Sequence, residues 1–121
     1  MLLASTSHAS SDFASGVGLG SLLGTTSLGV PSIFAGDEIG IEGSWGEDAR
    51  RTINWDDRSG WDFEFMNEVK KLVSLRRTQD ALINGGLRWV KAENDYVVYL
   101  RESKKQSILV LVSRGAIDAT I

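Results

Sequence analysis

The residues best suited to chemistry stand close together between positions 45 and 57: Trp45, Asp48, Arg50, Arg51, Trp55, Asp56 and Asp57. An arginine presents its N–H donors in a planar fork that fits a carboxylate or a pair of hydroxyls, and a tryptophan offers a broad apolar face. Such a set reads in two ways. Arg50 and Arg51 either tie their own loop down through ion pairs with Asp48, Asp56 or Asp57, or they hold a polar ligand. Trp55 reads as a packing anchor, whereas Trp45, in a glycine-flanked loop tip, suits either use. Other chemistry is excluded by composition. The chain has no cysteine, which removes disulfides, thiolate metal sites and thiol nucleophiles. His8 is the only histidine, so no two-His metal site can form and one imidazole remains for acid–base work.

These residues need a scaffold, and 121 residues suffice for one small domain. With 42% hydrophobic and 24% charged residues the chain has the composition of a folded, soluble protein. A net charge of -3 argues against a nucleic-acid binder, whose domain carries a basic footprint. No run approaches the roughly 20 apolar residues that span a bilayer, so no membrane partner is expected. The first lysine or arginine is Arg50, and glycines interrupt the apolar residues before it, so a secretory signal peptide is not expected. Together with the absence of cysteine this points to a cytoplasmic location.

Charge is unevenly divided. Residues 1–49 hold six acids and no lysine or arginine, and residues 50–121 hold the other ten acids and all thirteen bases. The front is also crowded with glycine, which orders at high entropic cost and packs nothing. The apolar run from Val30 to Ala35 reads as a buried strand, 30–35, with Pro31 at its opening. A long polar loop follows over 36–60. Phe65, Val69 and Leu72, joined by Met66 and Val73, recur at three- and four-residue intervals and predict a helix over 61–80. Ser59 or Asp62 can cap it, and Arg76 and Arg77 suit its negative end. Past Gly85-Gly86, three alternating runs near 87–92, 96–101 and 107–113 predict an antiparallel meander, with polar turns at Glu93-Asn94-Asp95 and Glu102–Lys105. One strand feeding one helix lacks partner strands, and three meander strands lack a covering layer. The order reads as a junction within a larger fold.

At Val30-Pro31-Ser32-Ile33-Phe34-Ala35-Gly36-Asp37-Glu38 the sequence resembles the alpha-amylase family of glycoside hydrolases, whose eighth barrel strand has the form V-P-x-I-F/Y-x-G-D/Q-E. The stretch from Gly46 to Asp56 is similar to the family's D-x-x-R-R-P-M-x-W-D loop, and Glu68 to Arg77 resembles its last barrel helix, ending L-x-x-L-R-R. The segment from Gly86 to Arg114 resembles the opening of the small β-domain that follows. The likeness covers about residues 28–114. Within the family it lies nearest the enzymes active on maltooligosaccharides: alpha-glucosidases, neopullulanases and cyclomaltodextrinases.

The resemblance implies an α/β plus β fold: the last strand and helix of a (β/α)8 barrel, then part of an all-β C-terminal domain. Residues 1–27 would be a degenerate or truncated barrel segment, 28–84 the end of the barrel, and 85–121 the start of the β-domain. It also implies a retaining mechanism in which two carboxylates, about 5–5.5 Å apart, act as nucleophile and acid/base. Those acids precede the eighth strand, so no catalytic residue is expected in this chain, and Asp37 and Glu38 are structural residues at the strand's end. A full barrel takes about 250 residues. The chain alone is therefore expected to be inactive, with no cofactor and no metal. By the same resemblance Arg50 or Arg51, with Asp48, lines the glucose-binding cleft of an alpha-glucan or maltooligosaccharide substrate, where Trp45 could stack on a pyranose face. His8 falls in Ser7-His8-Ala9-Ser10-Ser11-Asp12-Phe13, against the family's S-H-D-x-x-R-F. Ala9 replaces the aspartate and Asp12 the arginine, so His8 is either a surviving sugar-binding histidine or an ordinary loop residue. The rival reading is a non-catalytic carbohydrate-binding or interaction module using Trp45, Trp55 and Arg50. With strand 30–35 and helix 61–80 uncovered, the isolated chain is expected to self-associate.

Overall fold

A computed structural model of the protein describes residues 2–3, 20–45, 47–48 and 50–113. Its organising layer is a sheet in the order β1-β4-β3-β2, where β1 is Leu2–Leu3, β2 is Gly86–Ala92, β3 is Tyr96–Glu102 and β4 is Ser107–Ser113. The last three form the antiparallel meander read from the sequence, and β1 lies parallel to β4 with Leu2 opposite Val110. β-Branched and aromatic residues dominate β3 and β4, which occupy the middle of the sheet. β2 is an edge strand, and its register slips between Trp89 and Lys91.

Among the described residues, three α-helices lie to one side of this sheet. Residues 20–26 form helix α1, Phe63–Thr78 is α2, and Asp80–Asn84 is α3. The core lies between them: Leu22 of α1 and Ala81 and Leu82 of α3 meet Tyr99 of β3 and Ile108, Val110 and Val112 of β4. Tyr99 stands opposite Val110 and Arg101 opposite Ile108, so these residues share the helix-facing side of the sheet. Leu72 and Leu75 bring α2 to the margin of the same cluster.

The elements have local causes. Asp62 caps α2 by accepting from the Phe65 amide at 2.8 Å, while its own amide donates to the Ile39 carbonyl at 2.9 Å. That second bond ties the helix to a 3-10 turn at Asp37–Ile39. α2 stops at Thr78, because Gln79 is extended and redirects the chain into α3. The first turn of α3 is held by the β3–β4 turn: the Ala81 amide donates to Gln106 Oε1 at 3.1 Å, and Ser103 Oγ donates to Asp80 Oδ2 at 2.5 Å.

Several expectations need correction. Segment 30–35 carries no strand assignment and is not buried; Val30 is 95% exposed and Phe34 53%. An apolar run becomes a strand only when a neighbour pairs with it, and among the described residues none does. The helix expected over 61–80 is present as α2, Phe63–Thr78, and a short helix that was not expected, α3, follows it from Asp80. The apolar stripe of α2 is not a fully buried core, since Val69 is buried while Phe65, Met66 and Leu72 are half-buried and Val73 is exposed. The meander does have a covering layer, made by α1 and α3. Helix α1 went unread because Gly20 and Gly24 lower its propensity.

Candidate functional site

The loop leaving the 3-10 turn carries the predicted site residues. Its fixed point is the Asp48 carboxylate. Oδ2 accepts from both the amide and the hydroxyl of Ser44 at 3.0 Å, closing a five-residue turn. Arg51 grips the same carboxylate through its fork, Nη2 to Oδ2 at 2.7 Å and Nε to Oδ1 at 3.2 Å, and Nε also reaches the Asp48 carbonyl at 3.1 Å. The Arg51 hydrogen bond, with help from Ser44, pulls the Asp48 carboxyl down to about 2, and the same contact raises the Arg51 guanidinium above its ordinary value. The pair is charged at any physiological pH. Arg51 remains exposed, so the face of its guanidinium turned from Asp48 meets solvent.

Of the two readings of the arginine pair, the ion pair is present and belongs to Arg51 and Asp48. Arg50 is exposed, and its amide donates to the Glu47 carbonyl at 3.0 Å, forming the turn that orients Arg51. Trp45 follows Ser44 directly and is 62% exposed. The loop thus gathers Ser44, Asp48 and Arg51 and leaves Trp45 and Arg50 open beside them. His8 lies outside the described residues.

A second rigid turn follows. Asn54 Oδ1 accepts from the amides of Asp56 and Asp57 at 3.2 and 3.1 Å, and Asp57 Oδ1 accepts from the Ser59 amide at 3.0 Å. That bond lowers the Asp57 pKa. Trp55 is no packing anchor: it is 62% exposed and meets Trp61 at a ring separation of 5.5 Å and 76°. Burying it would take an element over the loop, and none of the described elements covers it.

Asp37 and Glu38 serve the turn that begins the loop. Glu38 Oε2 accepts from the Gly36 amide at 2.8 Å. Gly36 has φ +105°, and a Cβ there would stand 2.9 Å from Ile41 Cδ1, so glycine is required. Asp37 lines a groove of about 150 Å³ between α1 and residues 31–33, floored by Gly20 and Gly24; burial, then the neighbouring Glu38, raises its pKa. Among the described residues no group of three His, Cys, Asp or Glu side chains could hold a metal ion, and no helix is long and apolar enough to cross a membrane.

The residue that sequence reasoning missed is Arg101. It is 1% exposed on the core side of β3 and donates to five carbonyl oxygens: Thr26 and Ser27 at 2.6 Å, Gly85 at 2.8 Å, Leu82 at 2.9 Å and Gly86 at 3.2 Å. Arg76 of α2 joins it at the same helix end, reaching Ser27 O at 2.9 Å and Gly29 O at 2.5 Å. Two guanidinium groups thus close the C-terminus of α1, where orphan carbonyls and the dipole favour cations. Burial lowers the Arg101 pKa first, and the nearby Arg76 adds to the effect. The signal was present in the alternation of Tyr96–Glu102, which puts position 101 on the same face as Tyr99.

No family model matches the chain. It is 32% identical over 91 residues to a cyclomaltodextrinase of Thermoanaerobacter pseudethanolicus, a match covering 75% of this chain and 16% of the relative. It is 35% identical over 95 residues to neopullulanase 2 of Thermoactinomyces vulgaris, covering 74% of this chain and 16% of that protein. Among solved structures, a maltogenic amylase from S. marinus superposes with a TM-score of 0.75 at 27% identity, over 88% of this chain and 16% of that one. The chain thus spans about a sixth of the length of the curated relatives it matches.

Proposed function

The chain belongs to the alpha-amylase family of glycoside hydrolases, and from that premise we propose a role in cleaving alpha-glucosidic bonds of maltooligosaccharides and related glucans. The observation that carries this reading is the likeness to cyclomaltodextrinase and neopullulanase over about three quarters of the chain. In this reading residues 28–84 end a (β/α)8 barrel, residues 85–121 open the following β-domain, and residues 1–27 are a degenerate or truncated barrel segment. A cytoplasmic location belongs to the same proposal.

The part of the reaction assigned to this chain is substrate binding. A retaining glycosidase needs a nucleophile and an acid/base on either side of the bond. Neither is assigned here, so the isolated chain binds and does not cleave. Arg51, held by Asp48, keeps one face of its fork for sugar hydroxyls, with Arg50 beside it. Trp45 offers an exposed ring to the apolar face of a pyranose, and His8 is a further sugar contact in the same proposal. The polar loop thereby supplies hydrogen bonds and the aromatic supplies orientation, as small-molecule sites commonly do. A binding module that never cleaves remains a second reading, favoured by the exposure of Trp45 and Trp55.

The test takes the isolated chain with p-nitrophenyl alpha-glucoside and, separately, maltotriose. No turnover above a buffer blank is expected, together with saturable maltotriose binding that weakens in Arg51→Ala. Turnover that persists through repeated purification overturns the assignment of a binding role alone. Equal maltotriose affinity in Arg51→Ala, Arg50→Ala and Trp45→Ala overturns the assignment of this loop.

A further inference from the structure

Beside the loop carrying Arg51, three aromatic rings stand in contact at the surface. Trp55 meets Trp61 nearly at right angles, 5.5 Å between ring centres and 76° between planes, and Trp61 lies 6.0 Å from Phe63 at 36°. Trp55 is 62% exposed and Phe63 48%, with Trp61 half-buried and in contact with both. A lone exposed aromatic is unremarkable in a soluble protein, but three adjoining ones form a continuous apolar surface with an angled profile.

The surface is also held rigid. Arg58 stacks its guanidinium 5.1 Å from the centre of the Trp61 ring and donates from Nε to the Trp55 carbonyl at 3.2 Å. The Trp61 amide returns to the Arg58 carbonyl at 3.1 Å. Asn54 and Asp57 lock the intervening turn from inside. A site fixed before its ligand arrives loses little entropy on binding, and tryptophan brings large contact area with few rotatable bonds. Asp56 and Asp57, next in sequence to Trp55, are exposed, and so is Arg58, whose fork lies against the Trp61 ring. Flat apolar faces rimmed by planar charged groups match a pyranose, whose ring faces are apolar and whose rim is a belt of hydroxyls.

We propose that Trp55, Trp61 and Phe63, with Arg58 stacked on Trp61, form a second glucan-binding platform, built on a different turn from the one that joins Asp48 to Arg51. Its ligand class is a curved run of alpha-linked glucose units, laid against the angle between the Trp55 and Trp61 rings. This inference rests on the carbohydrate reading above and adds a second contact for the same polymer, so that one chain holds a glucan at two points.

Calorimetric titration of the full chain with beta-cyclodextrin and with maltoheptaose tests it, because heat does not depend on the tryptophan being altered. Trp55→Ala is expected to weaken beta-cyclodextrin binding about tenfold and Trp55→Phe less. Far-ultraviolet circular dichroism and the melting temperature establish that each variant is folded; an exposed side chain at position 55 makes both substitutions tolerable. Unchanged affinity in folded Trp55→Ala overturns the platform. If Arg51→Ala alone loses binding, the platform falls while the reading of the loop stands; if Trp55→Ala alone loses it, the platform stands without the loop. Absence of heat with either sugar overturns both.

Discussion

Arg101 donates through Nη1 to the Thr26 carbonyl at 2.6 Å, so a side chain of the sheet closes a helix 75 residues earlier in the chain. The same guanidinium holds the end of α3 through Leu82 and Gly85, and with them the corner where helix turns into strand. Helix α1, helix α3 and β2 therefore share one buried cation and depend on it together. Tyr99 repeats the link two residues away, its hydroxyl meeting the hydroxyl of Thr26.

Arg101→Met is expected to remove a donor from five carbonyls, of which Ser27 keeps its bond from Arg76, and to destabilise the chain by about 3 kcal/mol or more. Arg101→Lys is expected to recover only part of this, because an ammonium has three donors and no planar fork. Urea denaturation followed by circular dichroism measures both. A loss under 1 kcal/mol in Arg101→Met contradicts the shared role, as does full recovery by lysine.

The sequence made the periodic elements legible and the isolated contacts illegible. Helix α2 and the three meander strands follow from apolar spacing at 3.6 and 2 residues, and the cap was narrowed to Ser59 or Asp62, of which Asp62 takes the role. The site loop was legible as residue types only. Whether Arg51 paired with Asp48, Asp56 or Asp57 turned on loop geometry, which Ser44 decides by holding Asp48. Arg101 was legible as sharing a face with Tyr99 but not as a buried cation, because a charge in a strand usually marks an open face, and only the helices packed above it reverse that reading. The segment 30–35 misled for the complementary reason. Its composition specifies a strand, but pairing is a property of neighbours.

Gly85 is expected to tolerate no side chain. A Cβ there would lie 2.8 Å from the carbonyl carbon and oxygen of Glu102 and would also run into the Ala81 carbonyl. These are backbone atoms of α3 and β3, so relief requires the helix and strand to part just where Arg101 binds the Gly85 oxygen. Gly85→Ala is expected to cost about 2–4 kcal/mol, an overpacking effect rather than one of backbone dihedral, since Gly85 has φ −81°. A thermal melt checks it, with Gly86→Ala, where a Cβ meets open space, as the mild comparison.

Asp48 sets the acid limit of the loop. Its carboxyl titrates at about 2, below the ordinary 3.8, so pairing favours the folded loop fully above the unfolded value and fades as pH falls through about 2. Sugar binding that depends on Arg51 is therefore expected to stay flat from neutral pH to about pH 4. Carboxyl chemical shifts followed by NMR give the midpoint directly. In Arg51→Ala the midpoint is expected to rise toward the ordinary value; a midpoint that stays near 2 without Arg51 would assign the shift to Ser44 instead.

Tyr99 sets the alkaline limit. The chain has two tyrosines, and they are differently placed: Tyr96 is half-buried beside Lys91, whereas Tyr99 is 1% exposed in the core. Burial raises the Tyr99 pKa above 10.0 and outweighs the opposing effects of the Thr26 hydrogen bond and the Arg101 charge. A raised folded value means that the neutral phenol favours the native state below the unfolded pKa, and that this advantage disappears as pH climbs through the folded value. Absorbance titration near 295 nm of Tyr96→Phe, in which Tyr99 is the one tyrosine left, is accordingly expected to show ionisation only together with unfolding. Tyr99→Phe keeps the ring against Trp89 and removes the proton, so its stability is expected to lose this alkaline dependence at some cost from the missing Thr26 bond. Ionisation of Tyr99 in a chain that remains folded contradicts the burial argument.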